Sequence, residues 1–147
     1  MSLFNSVNVS ASGLTAQRLR MDVISKNIAN ANTTRTANGM PYRRQMPVFK
    51  EKTANLTFKE SLDVAKGKAN FGNGVEVIDV VEDKSPFKRI YDPGHPDADK
   101  DGYVKMPNVD IVTEMINMIS ATRAYEANVT AMNSAKSMAM KALEIGK

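Results

Sequence analysis

Asp97-Ala98-Asp99-Lys100-Asp101-Gly102 is the densest set of ligand-type side chains in the sequence. Its D-x-D-x-D-G spacing matches the first half of a calcium-binding loop, where alternate carboxylates converge on one ion and the glycine permits a sharp turn. The second half departs from that pattern. The twelfth position is Asn108, where a bidentate Glu belongs, and Pro93 and Pro96 stand where a helix would enter. The segment reads as an acidic turn before a strand at Tyr103. Weak calcium binding by Asp97, Asp99 and Asp101 is the alternative.

Little else supports catalysis. His95 is the single histidine and lies between Gly94 and Pro96, a turn setting, so a Ser-His-Asp triad or a His-rich metal site has little to build from. Gly72-Asn73-Gly74 reads as a turn before a strand, and no phosphate-cradling glycine motif occurs. No paired carboxylates suggest acid-base work. The chain has no cysteine, which excludes disulfides and thiolate metal sites. Neither an enzyme nor a cofactor is expected.

The remaining polar signal is amide-rich. Ser25-Lys26-Asn27-Ile28-Ala29-Asn30-Ala31-Asn32-Thr33 lies near one end, and Arg123-Ala124-Tyr125-Glu126-Ala127-Asn128 near the other. An amide offers donors and acceptors together. Asn27, Asn30 and Asn128 are therefore expected to hydrogen-bond to neighbouring helices and fix their register.

These residues must be positioned by long helices. Over residues 3–32, Val7, Leu14, Met21 and Ile28 fall seven apart, and Ala11, Ile24 and Ala31 join the stripe. Gly13 is the one interior breaker, at about 1 kcal/mol relative to Ala. Asn30, Asn32 and Thr33 favour termination. Over residues 108–145, Ile111, Met115, Met118, Thr122, Tyr125, Val129, Met132, Lys136, Ala139 and Leu143 alternate four and three apart. Pro107 blocks an earlier start, Asn108 or Asp110 can cap the first turn, and Gly146 suits the end.

The middle reads differently. Tyr42 to Lys50, Gly74 to Val81, Phe87 to Tyr91 and Tyr103 to Met106 are strand candidates. Residues 56–66 suggest a short helix and residues 66–74 a flexible loop. The expected fold class is mainly α with a small β-containing middle region, the long terminal helices pairing as a coiled-coil-like hairpin. The expected division is residues 1–33, 34–107 and 108–147.

Composition limits the partners. Of 147 residues, 42% are hydrophobic and 24% charged, so wholesale disorder is not expected, but aromatics are only 6% and a self-contained core is thin. The net charge of +4 is scattered, with adjacent basic pairs at Arg43-Arg44 and Lys88-Arg89, so no nucleic-acid face is expected. No run of 18 apolar residues occurs, so no membrane insertion is expected. No basic region followed by an apolar stretch opens the chain, and the residues alone suggest a cytoplasmic protein.

Residues 1–32 carry only Arg18, Arg20, Asp22 and Lys26 as charges. A solvent-facing helix normally mixes Glu and Lys, whereas a helix surrounded by others favours small, uncharged polar groups. About 30 helical residues span about 45 Å. A lone two-helix pair of that length with a narrow stripe is marginal. The ends are therefore expected to gain stability between subunits. Met115, Met118, Met132, Met138 and Met140 suit an adaptable interface, since Met fills irregular gaps.

The stretch from Asn8-Val9-Ser10-Ala11-Ser12-Gly13-Leu14 to Thr33 resembles the opening of the flagellar basal-body rod proteins. Tyr125-Glu126-Ala127-Asn128-Val129-Thr130-Ala131-Met132-Asn133 resembles their close. Tyr91-Asp92-Pro93 through Asp97, Gly102-Tyr103-Val104 and Pro107-Asn108-Val109-Asp110 resemble a proximal rod subunit of that family. The resemblance implies a structural subunit whose terminal helices pack into a helical tube around the export channel and transmit torque. It implies flagellar type III export without a cleaved signal, and so an extracytoplasmic basal-body location (periplasm or cell-wall zone) in place of the cytoplasm. The implied partners are other copies of the chain, other rod subunits, the rod-to-ring adaptor FliE and the export apparatus. The expected assembly interface comprises Val7, Leu14, Met21, Asn27, Ile28, Asn30, Met115, Met118, Tyr125, Asn128, Val129 and Met132. A helical-hairpin adaptor with a β insertion is the alternative reading, and a weak calcium-binding module the third.

Overall fold

The computed structural model describes residues 3–52, 62, 66 and 74–145. The element order is α1 (Leu3–Ala29), β1 (Gln45–Glu51), β2 (Val75–Glu82), β3 (Lys88–Tyr91), β4 (Tyr103–Met106) and α2 (Ile111–Ile145). The fold is mainly helical, with two long terminal helices flanking a small β region. The helix expected over residues 56–66 lies almost wholly outside the described residues. So do the loop expected over 66–74, apart from its ends, and the stop at Gly146.

Local chemistry sets the helix ends. α1 ends three residues earlier than its pattern suggests because Asn30 closes it. The Asn30 Nδ2 and backbone N–H both donate to the Lys26 carbonyl, at 2.9 and 3.1 Å. The Thr33 hydroxyl then donates to Asn30 Oδ1. The first two bonds satisfy the Lys26 carbonyl, one of those that a helix C-terminus otherwise leaves open, and the third fixes the Asn30 side chain. α2 is capped by Asp110, whose carboxylate accepts the Thr113 hydroxyl at 2.6 Å. That bond leads the causes holding the Asp110 carboxyl below its usual range. Asn108, the other cap expected, is engaged elsewhere.

β1 pairs with β2, and β3 with β4. The second pair is antiparallel, with Lys88 opposite Met106 and Tyr91 opposite Tyr103. Those two tyrosine rings meet edge to face, their centroids 5.3 Å apart. The turn before β4 needs glycine. Gly102 has φ 77°, and a Cβ there would lie 2.9 Å from the Tyr91 ring.

The chain forms two compact units. The first holds residues 1–18, 49–78 and 123–147, and the second residues 19–48 and 79–122. In the first, α1 meets α2 where Gly13 faces Asn128. A Cβ on Gly13 would sit 2.8 Å from Asn128 Oδ1, so the helix-weakening glycine is a close-approach position. Ser12 Oγ accepts the Val75 N–H at 3.1 Å and donates to the Val9 carbonyl, tying the start of β2 to α1. Gly74, with φ 99°, leaves room for that hydroxyl, which a Cβ would run into. In the second unit, Ala31, Tyr42 and Val109 form an apolar cluster, and Val104 is buried.

The buried side of each helix is rotated from the stripe that the large apolar residues suggest. On α1 the buried positions are Gly13, Ala16, Val23, Ile24 and Asn27, while Val7, Leu14, Met21 and Ile28 are half-buried. On α2 the buried positions are Glu114, Ala121 and Ala135. The inward line runs 114, 118, 121, 125, 128, 132, 135, 139, sharing Met118, Tyr125, Met132 and Ala139 with the expected stripe. The reason is steric. Small residues let two backbones approach, and the larger apolar side chains flank the contact.

Candidate functional site

The most constrained chemistry lies in the second unit, where α1, β1 and α2 converge on Asn27 and Glu114. Both are about 1% exposed. Asn27 Nδ2 donates to Glu114 Oε2 at 2.9 Å and to the Gln45 carbonyl at 2.8 Å. Its Oδ1 accepts the Tyr42 hydroxyl at 2.9 Å and the Gln45 N–H at 2.9 Å. The amide is saturated in both donors and acceptors.

Glu114 is the only acid in the first turn of α2, where the helix dipole favours a carboxylate. Its Oε1 accepts Arg44 Nε at 2.8 Å and Nη2 at 2.7 Å. Arg44 Nη1 lies 3.6 Å from Asp83 Oδ2 and donates to the Met46 sulfur. The Arg44 N–H donates to Asn108 Oδ1, Asn108 Nδ2 donates to the Asp83 carbonyl at 3.0 Å, and the Asp83 N–H donates to the Arg44 carbonyl. Asn108 therefore stitches the strand ends instead of capping α2.

Two shifts follow from this arrangement. Burial, then the Glu114 and Glu82 carboxylates, push the Tyr42 hydroxyl above its ordinary 10.0. The neutral phenol is favoured by folding, so its contribution is whole below the unfolded value and is lost as pH rises through the folded one. A late tyrosinate absorbance step is expected above pH 10, and Tyr42→Phe should remove it; an unchanged titration curve would contradict the burial of this hydroxyl beside the two carboxylates. Asp83 moves the other way. The Ser85 hydroxyl and N–H, then Arg44, hold its carboxyl below the usual range. Its contribution is present above the unfolded value and is lost as pH falls through the folded one.

The other expected site residues fall into three groups. Val7, Leu14, Tyr125, Asn128, Val129 and Met132, all in the first unit, are half-buried. Met21, Ile28, Asn30 and Met118 in the second are also half-buried, and the Thr122 hydroxyl lies 3.6 Å from the Met21 sulfur. Met115 is 56% exposed. The asparagines behave differently from one another. Asn27 bonds across to α2 and β1, whereas Asn30 and Asn128 turn their Nδ2 groups back to the Lys26 and Ala124 carbonyls of their own helices.

The acidic turn does not gather a cation site. Asp97 accepts the Thr34 hydroxyl at 2.8 Å and lies 3.8 Å from Arg35, while Asp99 lies 3.9 Å from Arg89. Among the described residues no three His, Asp or Glu side chains converge on a metal position. The backbone instead makes the turn, with the Gly102 N–H on the Asp99 carbonyl and the Asp99 N–H on the Tyr103 carbonyl. Sequence reading missed Glu114, Arg44, Tyr42, Gln45 and Asn108. The available signal was one carboxylate in the otherwise uncharged run Ile111 to Thr122.

Long terminal helices joined by a small β region and by the buried Asn27 amide form a scaffold, with no reactive centre among the described residues. Residues 7–35 match the family described as flagella basal body rod protein. Residues 100–145 match the flagellar basal body rod FlgEFG protein C-terminal family. The class is thus that of the flagellar rod proteins.

The chain is 53% identical over 151 residues to the flagellar basal-body rod protein FlgC of Bacillus subtilis (strain 168), covering 100% of each chain. It is 53% identical over 149 residues to FlgC of Borreliella burgdorferi, covering 99% of this chain and 98% of that one. It is 44% identical over 147 residues to FlgC of Escherichia coli O157:H7, covering 100% of each. The chain belongs to the FlgC family of flagellar basal-body rod proteins. It is a structural subunit of that rod.

Proposed function

We propose that copies of this chain pack through the flanks of α1 and α2 into a helical tube that encloses the export channel and transmits torque. Residues 1–33 and 108–147 form the packed layer, and residues 34–107 decorate it. The observation that carries this reading is the outward face of α2. Ile111, Val112, Met115, Ile116 and Ile119 are all exposed within its first turns. An apolar patch of that kind marks an interaction surface. No described helix is long and apolar enough to cross a membrane.

The neighbours proposed are further copies, other rod subunits and the adaptor FliE, reached after passage through the flagellar export apparatus to an extracytoplasmic position. Cells lacking this chain should be non-motile, with basal bodies that carry no rod beyond the ring. Restoring the chain should return it to purified basal bodies together with FliE. Motile, flagellated cells without the chain would contradict the proposal.

A further inference from the structure

We propose that Asn27, Arg44 and Glu114 form a register lock: they fix which turn of α2 lies against which turn of α1, contributing specificity to the helix pair in preference to stability. Apolar packing defines that register poorly. Both helices are only weakly one-sided in hydrophobicity. The inward line of α2 alternates four and three, so a slide of seven residues lays the line on itself. Ala121, fully buried on that line, is too small to interlock with one partner only.

The polar cluster is not repeated. The Asn27–Glu114 bond joins residues 87 apart, and both side chains are buried. A slide of seven would bring Pro107 or Ala121 to the place of Glu114. Neither side chain accepts a hydrogen bond, so the Asn27 amide and the Arg44 guanidinium would both lose the acceptor that Glu114 provides. The same Asn27 amide grips the N–H and carbonyl of Gln45, so β1 fixes its position independently of α2.

The energetics favour specificity. The desolvation cost of a buried ion pair offsets much of its attraction, and apolar replacement of the whole set is often neutral or stabilising. A single buried polar group that fixes helix register is the best-attested use of such a device.

The native sequence has no cysteine, so introduced pairs report position cleanly. Met21 and Thr122 touch in this register. Position 115 lies seven residues from 122, about 10 Å along the helix, outside the roughly 7 Å Cα span of a disulfide. The full-length chain carrying Met21→Cys with Thr122→Cys should oxidise to a higher yield than the chain carrying Met21→Cys with Met115→Cys.

In the background Asn27→Leu, Arg44→Met, Glu114→Leu, helical circular dichroism should be retained. The 21–122 yield should fall several-fold in that background. An undiminished 21–122 yield would overturn the lock. Loss of the helical signal would also overturn it, because the cluster would then be contributing stability and not specificity.

Discussion

Glu114→Ala is expected to destabilise the folded chain by about 3 kcal/mol, the lower end of the range for breaking one side of a buried ion pair. The lower end applies because the Arg44 side chain is 21% exposed and Asp83 remains 3.6 Å away to share its charge. Two groups lose their acceptor at once, the Arg44 guanidinium and the Asn27 amide. Small proteins lose about 1–3 kcal/mol of stability per molar urea, so the urea midpoint should drop by roughly 1–3 M. Since a domain holds only about 5–15 kcal/mol in total, such a loss removes much of its margin. Glu114→Gln should be milder, because Oε1 survives as an acceptor for Arg44. A midpoint for Glu114→Ala within the error of the parent would show that the pair is not buried as described.

The second large effect concerns assembly and not folding. Leu14→Asp and Val129→Asp should each abolish rod formation and motility while leaving the chain soluble and exported. Both residues are half-buried in the single chain. A carboxylate there keeps access to water until a neighbour covers it. Once covered, an unpaired carboxylate costs several kcal/mol. Each copy in the tube would carry that cost, and contacts that act together would fail together. Swarm diameter and the amount of chain in purified basal bodies, at matched export levels, read the effect. Motile cells carrying either substitution at normal levels would sink the assignment of these flanks to the interface.

The elements were more legible than the joint between them. β4 occupies Tyr103–Met106, the span that Tyr103 and Val104 between Gly102 and Pro107 suggest, and Pro107 clears the way for α2. The helices were visible because their apolar residues recur at three and four. The buried lines were not, since a count of large apolar residues passes over Gly13, Ala16, Ala121 and Ala135, which sit inside because they are small. Glu114 was hidden for a different reason. Its partner Arg44 is 70 residues away and belongs to a basic pair that reads as surface charge. Spacing within a helix carries no information about a strand so distant in sequence. The asparagines divide along the same boundary. Asn30 could be read as a local stop, but the four bonds of Asn27 depend on Tyr42, β1 and α2, which only the fold brings together.

Thiol protection tests most directly the claim that the terminal helices are the assembly surface. Single cysteines at Leu14, Val129 and Asp101 would be introduced separately into the cysteine-free chain, and maleimide labelling compared between the purified subunit and intact basal bodies. Asp101 lies in the exposed turn before β4 and serves as the reference. Labelling of Leu14→Cys and Val129→Cys in the free subunit, followed by strong protection in basal bodies while Asp101→Cys stays reactive, is the predicted result. Equal reactivity of Leu14→Cys and Val129→Cys in the two states would contradict it.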